Sequence, residues 1–195
     1  MLDGSPDPIR IDVGALVQRS VASLYAHLVT RPTGRAVRLA IETQLAEAGD
    51  PAVSLIDLTE VTILDFSCAD EVVAKLMQRY IDADRPREAF FVFKGVRARH
   101  KDPMEAVLER QALAAVAQRE DGLFELVGPR SEAEMRTWAE MERRGRVEAE
   151  GVADAFPDSE DREALQSLLA KRLVFRSPGT GSMHALSRLV RGLGG

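Results

Sequence analysis

The chain has 195 residues, 45% hydrophobic and 29% charged, which is enough apolar material for one large globular domain or two small ones. A formal net charge of −5 excludes a general electrostatic attraction to nucleic acid or to an anionic membrane, so any nucleic-acid contact needs a local basic patch. The single cysteine, Cys68, excludes an internal disulfide, and no segment approaches the roughly 18 consecutive apolar residues of a membrane helix, so we expect a cytoplasmic protein.

The N-terminal part of the chain alternates short apolar strands with amphipathic helices. Ile9, Ile11 and Val13 alternate with polar residues and predict a half-buried strand, whereas residues 15–29 fit either a strand or a helix. Apolar residues at helical spacing predict a helix over residues 33–48, which Gly49-Asp50-Pro51 ends. Residues 53–58 then predict a short buried strand.

A helix with strong periodicity follows this strand. Its apolar residues recur at i, i+3, i+4 and i+7 from Ala69 to Tyr80. Ser67 and Asp70 have the spacing of an N-cap and its third-position acid, which predicts that the helix begins at Ser67 with an exposed, acidic first turn. A regulatory protein could use such a turn as a switchable surface.

The remaining elements up to residue 128 complete an α/β pattern. Residues 89–93 form a continuous aromatic run, typical of a strand covered on both faces, and residues 123–127 predict another strand. Asp102-Pro103 predicts a second helix start, preceded by a basic run at residues 97–101 that is either a solvated loop or a contact for an acidic partner or nucleic acid. Residues 1–128 are therefore expected to form a small sheet with packed helices.

The composition changes after Gly128-Pro129, which predicts a second domain over residues 129–195. Ser131 and Glu134 form a capping pair that opens a helix, and Gly145 separates it from a short apolar segment over residues 147–156. Pro157-Asp158 precedes a third helix. Two short apolar runs flank the turn at residues 177–181 and predict a hairpin. Three helices followed by a hairpin predict a winged helix-turn-helix, an α+β unit.

The segment Ile56-Asp-Leu-Thr-Glu-Val-Thr-Ile-Leu-Asp-Phe-Ser-Cys-Ala-Asp-Glu71 resembles the signature of STAS domains, which include the anti-sigma-factor antagonists. Asp57-Leu58 matches the family's Asp-Leu pair, and Asp65 matches the acid before the helix. The end of this segment, Ser67-Cys-Ala-Asp-Glu71, is similar to a STAS-like subfamily in which the helix begins with Ser-x-Ala-Asp-Glu. Phe66 occupies the position of the serine that is phosphorylated in switchable members, and a serine stands one residue later. The resemblance implies a partner-binding edge made by Asp57, Asp65, Ser67, Asp70 and Glu71, with a histidine-kinase-like ATPase as a partner.

The C-terminal third resembles the winged helix of MarR- and ArsR-type regulators, chiefly over residues 167–181. The resemblance implies duplex DNA as a partner. The sequence leaves open whether the chain forms a homodimer. From Lys171 onward the chain carries five basic residues and no acid, which would suit a wing lying against phosphates. Acids at the start of the preceding helix oppose this interpretation, so a protein-binding winged helix is the alternative. The DNA-binding residues expected are Arg162, Gln166, Lys171, Arg172, Arg176, Thr180 and Arg188.

The sequence predicts no catalytic residue, no metal site and no cofactor. The three histidines lie in separate segments without metal-ligand spacing, Cys68 lacks a partner histidine and reads as a packing residue, and residues 178–182 lack the Gly-Lys-Ser/Thr ending of a phosphate-binding loop. We therefore expect a non-enzymatic regulator, with a STAS-like domain coupled to a DNA-binding winged helix. The alternative is an adaptor that binds only proteins, and a small hydrolase is a third hypothesis.

Overall fold

The computed structural model describes residues 6–21 and 27–193, and every structural statement below concerns these residues. The central sheet has five strands in the spatial order β1 (Asp7–Asp12), β3 (Ala52–Asp57), β5 (Ala89–Val96), β6 (Ala115–Arg119) and β7 (Phe124–Val127). The first four strands run parallel, and β7 runs antiparallel to β6. Two further strands, β2 (His27–Leu28) and β4 (Ile63–Leu64), pair in parallel as a separate small ladder. The predicted mixed α/β fold is confirmed at this level.

One face of the central sheet is covered by helices from the first part of the chain. These are α1 (Val13–Val21), α2 (Arg31–Glu47), α3 (Phe66–Ala69), a π-helical segment (Asp70–Lys75), α4 (Leu76–Ile81) and α5 (Ala98–Arg110). The segment from α3 to α4 is one continuous helix with a widened middle. Ile11, Ile56 and Phe93 point from the strands into this layer, where they pack with Val37 and Val72 among others.

The opposite face of the sheet is covered by the C-terminal segment. It contains α6 (Glu132–Arg144), β8 (Arg146–Val147), α7 (Val152–Ala155), α8 (Ser159–Ala170), β9 (Val174–Arg176), β10 (Met183–Ala185) and α9 (Leu186–Val190), with 3-10 turns at Ala149–Gly151 and Arg191–Leu193. Its three strands form an antiparallel sheet in the order β8-β10-β9. Val53, Leu55 and Phe90 share a core with Phe175 and Leu186. The predicted hairpin is confirmed as β9 and β10.

The two-sided covering accounts for the aromatic run at residues 89–93. All five of these residues are buried because alternate side chains enter opposite layers. Phe93 packs against the helices of the first part of the chain, and the ring of Phe90 meets that of Phe175 edge to face at 5.3 Å. The prediction of a strand covered on both faces is confirmed, and the C-terminal segment supplies the second cover.

The structure differs from the sequence interpretation in three places in the first part of the chain. The strand β6 escaped prediction because Ala115-Val-Ala-Gln-Arg119 is short and rich in alanine, a residue that is depleted in strands. Helix α5 begins at Ala98 rather than at Asp102, so the basic run at 97–101 forms its first turn and is not a loop. Val13, predicted to belong to the first strand, is instead the first residue of α1, which continues into the undecided segment 15–29. That segment also contains β2, and residues 22–26 lie outside the described part of the chain.

The start of α5 is set by His100 rather than by the expected Asp102. His100 is buried, and its Nδ1 accepts a hydrogen bond from the backbone N–H of Arg97, the residue before the helix. Pro103 then lies inside the helix, beyond the first turn where proline is best tolerated. The capping bond of His100 therefore accompanies a helix start four residues before the Asp-Pro signal.

No helix in the described ranges is both long enough and apolar enough to cross a membrane.

Candidate functional surface at the start of helix α3

The loop between β4 and α3 is organised by Asp65. Its carboxylate accepts hydrogen bonds from the backbone N–H of Cys68 at 2.7 Å and of Thr30 at 2.9 Å, and from the hydroxyl of Ser67 at 2.8 Å. Asp65 is therefore the N-cap of α3, and the prediction that Ser67 caps the helix is wrong. Asp65 occupies the N-cap position because its carboxylate contacts both the first turn of α3 and the chain that leads into α2.

The same contacts keep Asp65 ionised. Partial burial alone would raise the pKa of this carboxyl, but the hydrogen bonds from Thr30, Cys68 and Ser67 outweigh it and lower the pKa below its ordinary value. Ser67 is half-buried and its hydroxyl is turned toward Asp65. The helix start is therefore a fixed polar turn with a charged centre.

Large apolar side chains are exposed around this turn. Phe66, the first residue of α3, is 58% exposed, Ile63 of β4 is 44% exposed, and Val29, which follows β2, is 37% exposed. The neighbouring Leu28 and Leu64 are buried, because successive side chains of the small ladder point to opposite sides. We call Val29, Ile63, Asp65, Phe66 and Ser67 the helix-start surface.

Asp70 and Glu71 do not belong to this exposed surface. They are only 4% and 2% exposed, so the prediction of an exposed acidic first turn is wrong for both residues. Arg31 donates to Asp70 at 2.5 Å and to Glu71 at 3.2 Å. Arg38 donates to Glu71 at 3.1 Å. Further ion pairs join Lys75 to both acids and Arg110 to Asp70.

A glycine in α2 makes these ion pairs geometrically accessible. A Cβ atom at Gly34 would lie 2.8 Å from the Cα of Cys68 and 3.1 Å from the Cβ of Glu71, so only glycine permits this closeness of the two helices. Arg31 and Arg38 stand one turn before and one turn after Gly34. The close approach therefore brings both guanidinium groups onto the two buried carboxylates.

The buried acids predict a pH dependence of stability. Burial opposes the ionisation of both acids, but Arg31, Arg110 and Lys75 outweigh it at Asp70 and lower its pKa. At Glu71, hydrogen bonds from Lys75, Arg38 and Arg31 likewise lower the pKa. Groups with a lowered pKa in the folded state stabilise it above the ordinary carboxyl pKa of about 4, and that stability is lost as the pH falls through the lowered value. We expect urea denaturation to show a falling free energy of unfolding from about pH 5 downward.

Glu71→Gln should reduce that acid-side slope. The exposed Glu163→Gln, which removes a carboxylate that forms no ion pair within the described residues, serves as its control and should leave the slope as in the wild type. Equal slopes for all three proteins would contradict the role given to Glu71.

Asp57 is separate from the helix-start surface. It ends β3, is 3% exposed, and accepts from Nε of Arg10 and from the backbone N–H of Thr59, each at 2.9 Å. Burial raises the pKa of Asp57, but the bonds from Thr59 and Arg10 and the charge of Lys94 produce a net lowering. Its contacts fix the end of the strand, and its side chain is covered rather than presented to a partner.

The structure predicts that the thiol of Cys68 reacts slowly, because the side chain is buried next to a carboxylate. Burial and the neighbouring Asp65 carboxylate raise the pKa of the thiol to about 12, and its Sγ donates to the carbonyl of Thr30. We expect a disulfide reagent at pH 8 to modify the folded protein at least about a hundredfold more slowly than the protein in urea, because thiolate is the reacting form. Folded-state modification within tenfold of the unfolded rate would contradict this expectation.

Three of the expected DNA-binding cations are engaged within the protein. Arg172 forms a two-point ion pair with Glu88 and lies over the ring of Phe90 at 5.0 Å, and its side chain is 14% exposed. Lys171 pairs with the buried Glu134. Arg162 donates to the carbonyls of residues 156 and 157, just before its own helix.

Two of the four other expected residues line a groove between the two halves of the chain. Gln166 and Arg176 contribute to a groove of about 540 Å³ that also contains Arg172. The Thr180 hydroxyl is hydrogen-bonded to that of Ser182 at 2.7 Å. Arg188 is exposed on α9. Of the seven residues, three therefore share one groove: Gln166, Arg172 and Arg176.

Several residues of the candidate surface escaped sequence analysis. The sequence interpretation assigns no contact to Phe66 and no role to the arginines of α2. The spacing of Arg31, Arg35 and Arg38 at i, i+4 and i+7 was the available signal, since it places three cations on one helical face. The buried acids that Arg31 and Arg38 contact lie 33 to 40 residues further along the chain, where spacing gives no guidance.

Within the described ranges, no cluster of three or more histidine, cysteine, aspartate or glutamate side chains could hold a metal ion. The chain matches no family model, no curated protein and no solved structure.

Proposed function

We propose that this chain is a non-enzymatic cytoplasmic regulator that binds a protein partner through the helix-start surface. The observation that carries the proposal is the exposure of Val29, Ile63 and Phe66 around the fixed, ionised Asp65. Protein-binding patches typically combine an aromatic anchor with a polar rim. This is the adaptor hypothesis from the sequence, with Phe66 replacing Asp70 and Glu71 as a main contact.

A STAS-like assignment of residues 1–128 belongs to the same proposal. One support is that strand β3 is followed by a loop with an acid and then by a helix start. The other is that these elements belong to a mostly parallel sheet with helices from the same part of the chain packed on one face. The resemblance makes a histidine-kinase-like ATPase the first partner to test. Ser67 is bonded to Asp65, so partner binding here is proposed without a phosphorylation step.

The test is capture of a partner by the immobilised chain. The wild type should retain a partner that, once identified by mass spectrometry and purified, binds with a defined stoichiometry in calorimetry. Phe66→Asp should weaken that binding at least about tenfold, because a charge replaces the aromatic anchor that the partner would cover. Met135→Asp is a matched control, since Met135 is also about half exposed but lies on α6. Equal loss in both variants would overturn the proposal.

DNA binding by a winged helix in residues 129–195 is the second candidate. Its support is the order α6, β8, α7, α8, β9, β10, with β8 pairing onto the hairpin beside β10. The distribution of charged side chains opposes DNA binding. Arg172 and Lys171 are held by acids of the same chain, and α8 starts with Glu160 and Asp161, which pair with Arg136.

A gel-shift titration over a salt series separates the two candidates. DNA binding predicts a shift that weakens steeply with salt and that is weakened by Arg176→Ala, because Arg176 is an exposed cation of the hairpin. The exposed Arg99→Ala is the control, since it removes the same charge from α5. No shift at low salt would remove the DNA candidate and leave the adaptor.

A further inference from the structure

A groove beside the helix-start surface is lined mainly by cationic side chains. Its lining residues enclose about 390 Å³ and are Arg31, Pro32, Arg35, Arg38, Glu71 and Lys75. Arg110 adds a further positive charge at Asp70. We call this feature the arginine groove.

The arginine groove is positive although the whole chain carries a net charge of −5. Its five cations face only three carboxylates, those of Asp70, Glu71 and Glu42. Arg35 is exposed and forms no ion pair within the described residues. The surplus charge remains in contact with solvent, where it can attract an anion.

The buried acids hold the groove's donors in place. Glu71 and Asp70 lie underneath and accept from Nη1 of Arg31, while Glu71 also accepts from Nε of Arg38. A guanidinium group has five N–H donors, so each of these arginines keeps donors that the acids do not use. Such fixed guanidinium groups are well suited to carboxylates, because little side-chain entropy is lost on binding.

The dimensions favour an extended acidic segment over a single small anion. Arg31 and Arg38 are seven residues apart on α2, which corresponds to about 10 Å along the helix. Alternate side chains of an extended peptide repeat at roughly 7 Å and can engage successive arginines. One phosphate would reach only part of this row.

We propose that the arginine groove binds an acidic peptide segment of the protein partner. This inference rests on the proposed function, because the groove adjoins the helix-start surface: Thr30, which binds Asp65, immediately precedes Arg31. The apolar anchor and the cationic groove then engage two parts of one partner. The arginines give charge selection, and Phe66 gives apolar contact.

The probe is a labelled hexaglutamate peptide titrated into the isotopically labelled full-length chain at low salt. Amide and arginine side-chain NMR signals of the groove residues should shift in a saturable manner, hexalysine should have no effect, and rising salt should weaken binding. Arg35→Glu should weaken hexaglutamate binding about tenfold. Arg99→Glu, the same charge reversal at an exposed site on α5, should leave it unchanged.

Two outcomes would overturn the inference. One is equal weakening by Arg35→Glu and Arg99→Glu, which would indicate unspecific attraction. The other is saturation of the same signals by inorganic phosphate as tightly as by hexaglutamate at matched ionic strength, which would indicate a small-anion site. Failure here is distinguishable from failure of the proposed function: a captured partner that requires Phe66 but not Arg35 would leave the proposed function intact.

Discussion

Phe175→Ala is expected to lower the free energy of unfolding by about 3–5 kcal/mol, the range for deleting a buried aromatic side chain. Phe175 is 2% exposed and lies on β9, yet its ring packs against Phe90 of the central sheet. The change would therefore leave a cavity between the C-terminal segment and the sheet. Phe66→Ala removes the same atoms from an exposed site and should change stability by no more than about 0.5 kcal/mol.

The measurement is urea denaturation followed by circular dichroism and by fluorescence of the single tryptophan, Trp138 of α6. If the two parts of the chain share one core, the two signals should move together to a lower midpoint in Phe175→Ala. Separate transitions in the wild type would contradict the shared core and would favour two independently stable units.

Gly95→Ala is expected to cost about 2–4 kcal/mol, through backbone strain and overpacking combined. Gly95 has a φ of 71°, a left-handed conformation that disfavours any side chain. An added Cβ would also lie 2.7 Å from the backbone N and Cα of Thr59, which belong to the loop that binds Asp57. Neither backbone group can move without disturbing the end of β3.

Gly122→Ala separates these two causes. Gly122 has a φ of 82°, but a Cβ there would meet nothing within 4 Å, so only the conformational cost of about 1–2 kcal/mol applies. Denaturation of both variants should show Gly95→Ala as clearly the less stable. Equal losses would mean that Thr59 yields easily and that the close contact has little energetic weight.

The sequence patterns that predicted the structure correctly are those in which all interacting residues lie within a few positions of each other. The capping pair of Ser131 and Glu134 opens α6 as expected, because both hydrogen bonds of the box form within one turn. The Pro/Gly turn at residues 177–181 likewise joins a true hairpin. The pattern of Ser67 and Asp70 has nearly the same form but failed, since Asp65 had a second donor, Thr30, 35 residues away.

The candidate surface depended on such distant contacts throughout. Asp70 and Glu71 appeared as exposed acids because the sequence near them shows only one cation within reach, Lys75. Their burial needs the arginines of α2 and the end of α5, and those helices come together only when the sheet forms. A charge in the first turn of a helix thus carries no information about which neighbour will cover it.

The sequence by itself determined the alternation of strands and helices, the double-sided burial of β5 and the hairpin near the C-terminus, because each follows from hydrophobic period and turn chemistry within a short window. Only the tertiary structure decided which charges remain exposed. Gly34 lets two helices approach closely enough for Arg31 and Arg38 to neutralise buried acids, and Glu88 holds Arg172. Ion pairing acts through space over a few ångströms, so its partners are set by packing and not by order along the chain.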